Sequence, residues 1–344
     1  MTPSPLGLQK IHCCGRGRPT RLKEVHMDDY PGREEQDSLR ESLYNATIID
    51  RVDCTDDLAK YRILPDVEVM PFQPGQYVAL GVGYWEPRLP GAQVEEVPIK
   101  RARKLVRRAY SISCPIVDLD SSALMPVDQI DYLEFYITLV RHASEPDGKP
   151  PALTPRLFGK QAGDRLVMES KITGKYLLGP IDPADTVLML GTGTGEAPHN
   201  AMATHLLANG HQGRIIVATS VRHRRDAAYI DQHTRLMKLF SNYVYLPLTT
   251  REPENLDSTR DDYVGKLYLQ TLFTSGRLAE MAGDHLSPSN THVFMCGNPD
   301  MIGYVPPGAE IPEQPGMLPL LREAGFHDDD GSGSPGGIRF EKYW

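Results

Sequence analysis

The sequence contains no long hydrophobic run, no hydrophobic segment among its first thirty residues and no excess of positive charge. Its longest apolar stretches, such as 186–190 and 215–218, are as long as a β-strand, whereas a membrane-spanning helix needs ~18 or more such residues. The first thirty residues contain no hydrophobic segment of the kind that directs secretion. The formal net charge of −8 disfavours binding to the phosphates of nucleic acids. We therefore expect a cytoplasmic protein that neither spans a membrane nor binds nucleic acid.

Cysteine is also scarce, with five residues that are odd in number and widely spaced. They form no CxxC pair, and no cysteine–histidine spacing is typical of zinc. A plant-type iron–sulfur cluster needs four thiolates, three of them in a C-x4-C-x2-C run, which this sequence does not contain. The pattern predicts reduced thiols and no metal centre.

The composition changes twice along the 344 residues. Residues 1–43 are basic as far as residue 26 and acidic beyond it, so we interpret them as a polar tail, with a short helix at 38–44. One hypothesis is that Met27 is the true start of the chain. Residues 44–180 contain short β-rich stretches with glycine and proline turns, which are typical of an antiparallel barrel. In 181–344, apolar strands alternate with helices, which predicts a doubly wound parallel sheet.

The individual elements follow from the same patterns. Barrel strands are predicted at 45–50, 76–82, 109–114 and 132–140; parallel strands at 186–190, 214–219, 243–248 and 292–295; helices at 200–208 and 232–239. Residues 328–337, DDDGSGSPGG, predict a flexible linker before a terminal aromatic hexapeptide, RFEKYW.

A glycine-rich turn, LGTGTGEAP at 190–198, follows a predicted strand and opens a helix. Gly191, Gly193 and Gly195 permit a tight turn whose backbone amides, aided by the helix dipole, can face a pyrophosphate. The motif departs from GxGxxG at Glu196. The alternative is a turn that binds no ligand.

The next predicted strand is followed by Val221 and Arg222 instead of the acidic residue typical of an NAD site. An arginine there suits the 2′-phosphate of NADP, because the guanidinium group pairs with phosphate oxygens. Arg251 and Lys266 are placed to complete such a pocket. The alternative is an exposed basic loop.

Two further motifs carry groups suited to cofactor chemistry. In RAYS at 108–111, arginine can neutralise a diphosphate, tyrosine can stack on a flat ring and serine can bond a ring nitrogen. CGNPDM at 296–301 follows a predicted parallel strand, at the edge where ligands bind in such sheets. An ordinary β-edge and a turn with a buried thiol are the alternatives.

Together, PGQY (74–77), RAYSIS (108–113), LTPRL (153–157), GTGTGEAP (191–198), CGNPDM (296–301) and the terminal EKYW resemble, in order, the ferredoxin/flavodoxin–NADP(H) reductase family, especially its bacterial branch. The resemblance extends from residue 44 to residue 344. It implies a two-domain β + α/β fold, with an FAD-binding barrel at 44–180 and an NADP(H)-binding domain at 181–344. The implied reaction is hydride transfer between nicotinamide C4 and flavin N5, coupled to one-electron exchange with a small carrier protein.

The resemblance also implies a role for each matching residue. Arg108 would face the FAD diphosphate, Tyr110 would stack on the flavin, and Ser111 would lie near N5. The other implied FAD contacts are Ala109, Ile137, Thr138, Leu139, Ala152, Leu153, Thr154, Thr194, Tyr343 and Trp344. The implied NADP contacts are Gly191, Gly193, Gly195, Val221, Arg222, Thr250, Arg251, Lys266, Asn298, Pro299 and Asp300. The implied catalytic set is Ser111, Tyr110, Cys296 and Trp344.

The chain departs from the family in a long segment between Gly81 and Arg107. We predict that its basic residues, Lys100, Arg101, Arg103 and Lys104, bind an acidic ferredoxin or flavodoxin, although a solvated hairpin face is an alternative. We expect a monomer. The alternative functions are an NAD(P)H-dependent flavin oxidoreductase that serves an oxygenase or quinone, and a non-enzymatic flavoprotein scaffold.

Overall fold

The computed structural model describes residues 30–68, 71–305 and 314–343. The hypothesis about Met27 and the roles implied for Trp344 lie outside the described residues.

The first half of the chain forms an antiparallel barrel. Its strands are β1 (Ala46–Thr55), β2 (Leu58–Pro65), β3 (Tyr77–Gly83), β4 (Leu105–Ser111), β7 (Leu133–Thr138) and β8 (Arg165–Met168), in the spatial order β4-β3-β8-β1-β2-β7. A bridge between Ser113 and Glu134 brings the two ends of this sheet together. Side chains such as Tyr61 and Phe135 fill the interior. Strands β5 (Ile116–Val117) and β6 (Leu124–Met125) form a separate hairpin.

In the described part of the first half, three α-helices accompany the barrel: α1 (Arg33–Leu43), α2 (Ile99–Ala102) and α3 (Thr154–Leu157). Helix α1 begins earlier than the short helix expected at 38–44, within the region interpreted as a tail. Arg40 holds α1 against the barrel, because its Nε donates a hydrogen bond of 2.9 Å to Oε1 of buried Glu86. Burial opposes ionisation of Glu86, but hydrogen bonds from Arg40 and the charge of Lys160 lower its pKa overall.

The second half forms the expected parallel sheet. Its strands are β9 (Thr186–Thr192), β10 (Ile215–Val221), β11 (Tyr243–Thr249), β12 (Thr291–Gly297), β13 (His327–Asp328) and β14 (Gly337–Lys342). They run in the order β11-β10-β9-β12-β14-β13, and every described pair is parallel. All residues of β12 are buried, because helices cover both faces of the sheet. The predicted fold class is therefore confirmed.

The described residues of this half also form seven α-helices: α4 (Glu196–Ala208), α5 (Ile230–Leu239), α6 (Pro253–Leu256), α7 (Leu269–Thr274), α8 (Arg277–Ala282), α9 (Pro299–Ile302) and α10 (Met317–Glu323). Residues of α4 and α5 share one hydrophobic core with the barrel, whereas residues of α7 to α10 form a separate core on the other face. No described helix is both long enough and apolar enough to cross a membrane.

The terminal hexapeptide was expected to be an aromatic tail beyond a linker, and that expectation is wrong for most of it. Strand β14 lies inside the sheet, where it pairs with β12 on one side and with β13 on the other. The preceding segment is also held in place, because Arg339 Nη2 lies 2.6 Å from Asp329 Oδ1. The strand is defined by its two parallel neighbours, and a charged six-residue sequence alone does not reveal them.

Polar side chains buried between the two halves fix their contact. Tyr229, just before α5, donates a hydrogen bond of 2.8 Å to Glu134 Oε1 of β7. Asn200 of α4 donates to Ser113 Oγ over 3.2 Å. These bonds place the carboxyl edge of the parallel sheet beside the open edge of the barrel.

Candidate functional site

A cleft of about 870 Å³ lies between the barrel and the carboxyl edge of the parallel sheet. Leu58 and Thr138 line it from the barrel, and Thr194, Arg222 and Asn298 line it from the loops after β9, β10 and β12. Ligands of open α/β sheets bind at this edge. The glycine turn, the basic loop and the CGNPDM motif therefore meet as the sequence predicts.

The glycine turn forms a short 3-10 turn, Gly193–Gly195, between β9 and α4. Gly193 has a φ of +51°, a conformation that side chains disfavour. A Cβ on Gly195 would lie 2.2 Å from the carbonyl oxygen of Cys296, so β12 approaches too closely for any other residue. The turn exposes Gly193 and Thr194 to the cleft, ahead of the first amides of α4.

Glu196, the departure from the glycine pattern, is completely buried. Its Oε1 accepts hydrogen bonds from the Tyr245 hydroxyl at 2.7 Å and from His233 Nε2 at 3.0 Å. The His233 ring stacks on Tyr245 with centroids 3.8 Å apart, and its Nδ1 lies 2.7 Å from the Tyr243 hydroxyl. Glu196 thus ties the start of α4 to β11 and α5. No sequence pattern predicts this network, because its members are far apart in the chain.

The predicted phosphate pocket is brought together in part. Val221 and Arg222 line the cleft at the end of β10, and Thr250 is fixed beside them by a 3.1 Å hydrogen bond to the Val221 carbonyl. Arg251 and Lys266 are exposed and lie outside the lining of the cleft. Tyr268, which is 45% exposed, lines it instead and presents a flat ring.

The loop after β12 presents polar groups to the same cleft. The Asn298 amide donates to Thr192 Oγ1 over 2.7 Å, and Asn298 Oδ1 caps α9 by accepting from the Asp300 amide at 2.9 Å. Asn298 and Asp300 line the cleft, and Pro299 occupies the first turn of α9. The local structure thus orients Asn298 and Asp300, two of the predicted nucleotide contacts. Pro299 only begins helix α9.

Strand β4 is an edge strand of the barrel, and RAYS lies at its end. Arg108 and Ala109 are exposed, Tyr110 is partly buried and Ser111 is buried. Burial raises the pKa of Tyr110, so the phenol stays neutral. An exposed guanidinium group, a neutral aromatic ring and a buried hydroxyl in succession fit a diphosphate joined to a flat heterocycle.

The predicted contacts 137–139 and 152–154 are neighbours in space. The Val140 amide donates to Thr154 Oγ1 over 3.1 Å. Thr138 is exposed and lines the cleft, whereas Ile137, Leu139, Ala152 and Leu153 are buried. Of these positions, Thr138 has a side chain in the cleft.

Ser111 contacts Glu341, a residue to which the sequence motifs assigned no individual role. Ser111 Oγ donates to Glu341 Oε2 over 3.0 Å. Burial raises the pKa of Glu341 above its ordinary value, while the bond from Ser111 opposes this shift. The Tyr343 hydroxyl lies near the side chains of Ser111 and Cys296, and burial raises its pKa well above the ordinary value. The feature of the sequence that could have pointed to a role for Glu341 was its position in the EKYW motif.

Cys296 is fully buried at the end of β12. Burial raises the pKa of its thiol well above the ordinary value, so the group is an uncharged thiol at neutral pH. It can pack against a ligand or share a proton through Tyr343, but it is a poor nucleophile. Among the described residues, no cluster of His, Cys, Asp and Glu could hold a metal ion.

The basic segment before β4 is exposed at Lys100, Arg101, Arg103 and Lys104. Arg103 is partly neutralised, because its Nε and Nη2 donate to the two carboxylate oxygens of Glu35 on α1 over 2.6 and 3.0 Å. The segment therefore presents less net positive charge than the sequence alone suggests.

The sequence of this chain matches a family model and is similar to the sequences of known proteins. A family model described as an oxidoreductase NAD-binding domain matches residues 189–306. The flavodoxin/ferredoxin–NADP reductase of Escherichia coli (strain K12) is 26% identical over 247 residues, covering 71% of this chain and 81% of the relative. The ferredoxin–NADP reductase of Pseudomonas aeruginosa is 27% identical over 240 residues, covering 67% and 75% of the two chains.

The solved structures show the same fold. A ferredoxin NADP+ reductase from Neisseria gonorrhoeae, crystallised with FAD and NADP, aligns with a TM-score of 0.62 at 20% identity, covering 87% of this chain and 97% of the other. The resemblance that the ordered motifs indicate is thereby confirmed: in sequence and in fold, this chain is similar to the flavodoxin/ferredoxin–NADP reductases, and its second half carries the oxidoreductase NAD-binding domain.

Proposed function

We propose that the protein is an FAD-dependent NADP(H) oxidoreductase of the ferredoxin (or flavodoxin)–NADP(+) reductase type. The observation that carries this proposal is the contact between Ser111 and Glu341. It joins the end of RAYS, on edge strand β4 of the barrel, to β14, which pairs with β12 inside the parallel sheet. The groups suited to a flavin and those suited to a dinucleotide therefore meet at one place.

The residues on the barrel side fit FAD by type and exposure. Arg108 would hold the diphosphate, Tyr110 would stack on the ring, and Ser111 would present its hydroxyl to the reacting edge. Thr138 of the barrel and Thr194 of the glycine turn both line the cleft that the ligands would share. Bound FAD would supply the ring that takes hydride from a nicotinamide and releases electrons singly to a carrier.

The residues on the sheet side would hold NADP(H). Gly193 and Thr194 line the cleft just before α4, and the backbone of this turn suits the pyrophosphate. Arg222 offers its guanidinium group to the 2′-phosphate, and Tyr268 offers a ring to the adenine. Asn298 and Asp300 would orient the nicotinamide. Arg251 and Lys266 would contribute long-range positive charge to the mouth of this pocket.

Ser111, Glu341 and Tyr343 would provide the polar surroundings of the reacting atoms. The hydrogen bond between Ser111 and Glu341 fixes the serine hydroxyl before any ligand arrives, which lowers the cost of orientation during the reaction. The buried Cys296 thiol would exclude water from the same position without adding charge.

The partner would be an acidic ferredoxin or flavodoxin, attracted by Lys100, Arg101 and Lys104 beside β4. We also propose that the enzyme acts as a monomer in the cytoplasm. The free thiols of Cys54, Cys114 and Cys296 support a reducing compartment.

An anaerobic titration of the purified full-length protein tests the proposal. Flavin absorbance is followed while NADPH is added, with NADH in a parallel series. We expect bleaching at a much lower concentration of NADPH than of NADH. A protein that carries no flavin, or whose flavin neither nucleotide reduces, would overturn the enzymatic function.

A further inference from the structure

Residues 84–98 belong to the long segment between Gly81 and Arg107 in which the chain departs from the family pattern. They form hydrogen bonds with residues 141–157. The Leu89 amide donates to the Pro155 carbonyl, and the Gln93 amide donates to the Arg141 carbonyl, both over 2.8 Å. The Gln93 side chain adds a bond, because its Oε1 accepts from the Ala143 amide over 2.8 Å. The insertion is therefore bonded to the loop that precedes and includes α3, and is not a free hairpin.

A buried charge cluster lies at the centre of this contact. Glu95 Oε2 accepts from Arg88 Nη1 over 2.8 Å and from Arg156 Nη1 over 2.6 Å. The Arg156 side chain is only 2% exposed and that of Glu95 only 12%. A buried arginine needs a paired carboxylate, because removing one partner leaves an uncompensated charge away from water.

The same two arginines fix the backbone beside the proposed FAD contacts 152–154. Arg88 Nη1 donates to the Pro151 carbonyl over 2.8 Å, and Arg156 Nη1 donates to the Ala152 carbonyl over 2.6 Å. Glu95 therefore sets the position of both guanidinium groups and, through them, the start of the loop. Arg156 also belongs to the LTPRL motif, so the insertion acts directly on a motif residue.

We propose that Glu95 is a positioning residue for flavin binding: the insertion 84–98 holds the loop 151–157 in its binding conformation through the Arg88–Glu95–Arg156 cluster. This inference rests on the proposed function, since it concerns the same FAD site. A loop held in place before binding loses little conformational entropy on binding. Loss of the cluster weakens flavin binding more than it slows the reaction of the bound flavin.

The test is Glu95→Gln, with Glu96→Gln as the matched control because Glu96 is the exposed neighbour. Flavin is removed from the full-length proteins, and the Kd for FAD is measured by fluorescence quenching. We expect Glu95→Gln to raise this Kd about tenfold, with kcat at saturating FAD unchanged. Hydrogen exchange of the amides at 151–157 should be faster in the flavin-free variant. Glu96→Gln should resemble the wild type in both measurements.

A milder second variant, Arg88→Gln, leaves the Glu95–Arg156 pair in place and keeps the test valid if Glu95→Gln folds poorly. It should raise the Kd by a smaller factor. Unchanged FAD affinity in a folded variant of either kind, beside a wild type that binds FAD, overturns the inference alone. A wild type that binds no FAD overturns the proposed function, and the inference with it.

Discussion

Ser111 Oγ donates a hydrogen bond of 3.0 Å to Glu341 Oε2, across 230 positions of the chain. One partner ends the edge strand of the barrel, and the other lies near the end of β14 in the parallel sheet. The barrel and the parallel sheet therefore share a polar contact at the place where their ligands would meet.

Replacing Ser111 with alanine should slow the reduction of bound flavin by NADPH about 100-fold, because the hydroxyl that orients the reacting edge is lost. The free energy of unfolding should fall by only about 1 kcal/mol, the value of one hydrogen bond. Stopped-flow absorbance measures the rate. Ser121→Ala, in an exposed turn, is the control, and equal rates in the two variants would contradict the role of Ser111.

Glu341→Gln should change the pH dependence of stability. Burial raises the pKa of Glu341 above 4.5 in the folded protein, so the folded state binds this proton more tightly than the unfolded state does. Stability is consequently lost as the pH rises from the unfolded-state pKa through that raised pKa, and the destabilisation by ionised Glu341 is constant at higher pH. The variant should be more stable than the wild type at neutral pH, and the difference should vanish under acid conditions. Urea unfolding across a pH series measures this, and a pH-independent difference would refute it.

Arg222→Leu should lower the preference for NADPH over NADH. A hydrogen-bonded guanidinium–phosphate contact contributes about 1.5–3 kcal/mol, so the KM for NADPH should rise about tenfold or more. The KM for NADH should stay the same, because NADH has no 2′-phosphate. Arg224→Leu, whose side chain lies 3.8 Å from Glu254, serves as the control. Parallel changes for both nucleotides would place the phosphate elsewhere.

Glu196→Ala should destabilise the protein by about 3 kcal/mol, because it leaves buried His233 and the Tyr245 hydroxyl without their shared acceptor. Chemical denaturation gives the free energy of unfolding. The exposed Glu280→Ala should change it by no more than about 0.5 kcal/mol. Equal effects of the two substitutions would show that the buried network contributes nothing to stability.

Charge reversal at Lys100 and Arg101 should raise the KM for an acidic ferredoxin about tenfold at low ionic strength, with kcat unchanged. Added salt should reduce the difference from the wild type, because it screens exposed charges. The control is Arg277→Glu, an exposed charge on α8 in the parallel-sheet half. If the effect on KM did not depend on salt, the segment would not act through its charge.

Most of the fold could be predicted from the sequence, because both of the patterns that indicate strands are local. Alternation and turn residues predicted β1, β3, β4 and β7 of the barrel but not β2 or β8, and the apolar runs predicted β9 to β12. Strand β14 was interpreted as a tail because its register depends on β12 and β13, which are distant or very short. Ser111 was singled out by its motif, but its hydrogen bond to Glu341 appears only when β4 and β14, from different halves, meet.

Glu196 and Arg103 illustrate the same limit. As a departure from the glycine pattern, Glu196 gave no information about its partners, which lie on β11 and α5. Arg103 looked like free positive charge until α1 brought Glu35 to it. In both cases, the partner that sets the chemistry is contributed by another element, and no local pattern contains it.

The position of β14 between β12 and β13 bears on how the protein is synthesised. Of the described strands, β14 emerges last from the ribosome, yet it must insert between two that are already present. Until then, β12 has an unpaired edge of buried residues, which invites association with other chains. Glu341 and Tyr343 also arrive only with this strand. Completion of the described sheet and of this part of the candidate site thus depends on the same strand.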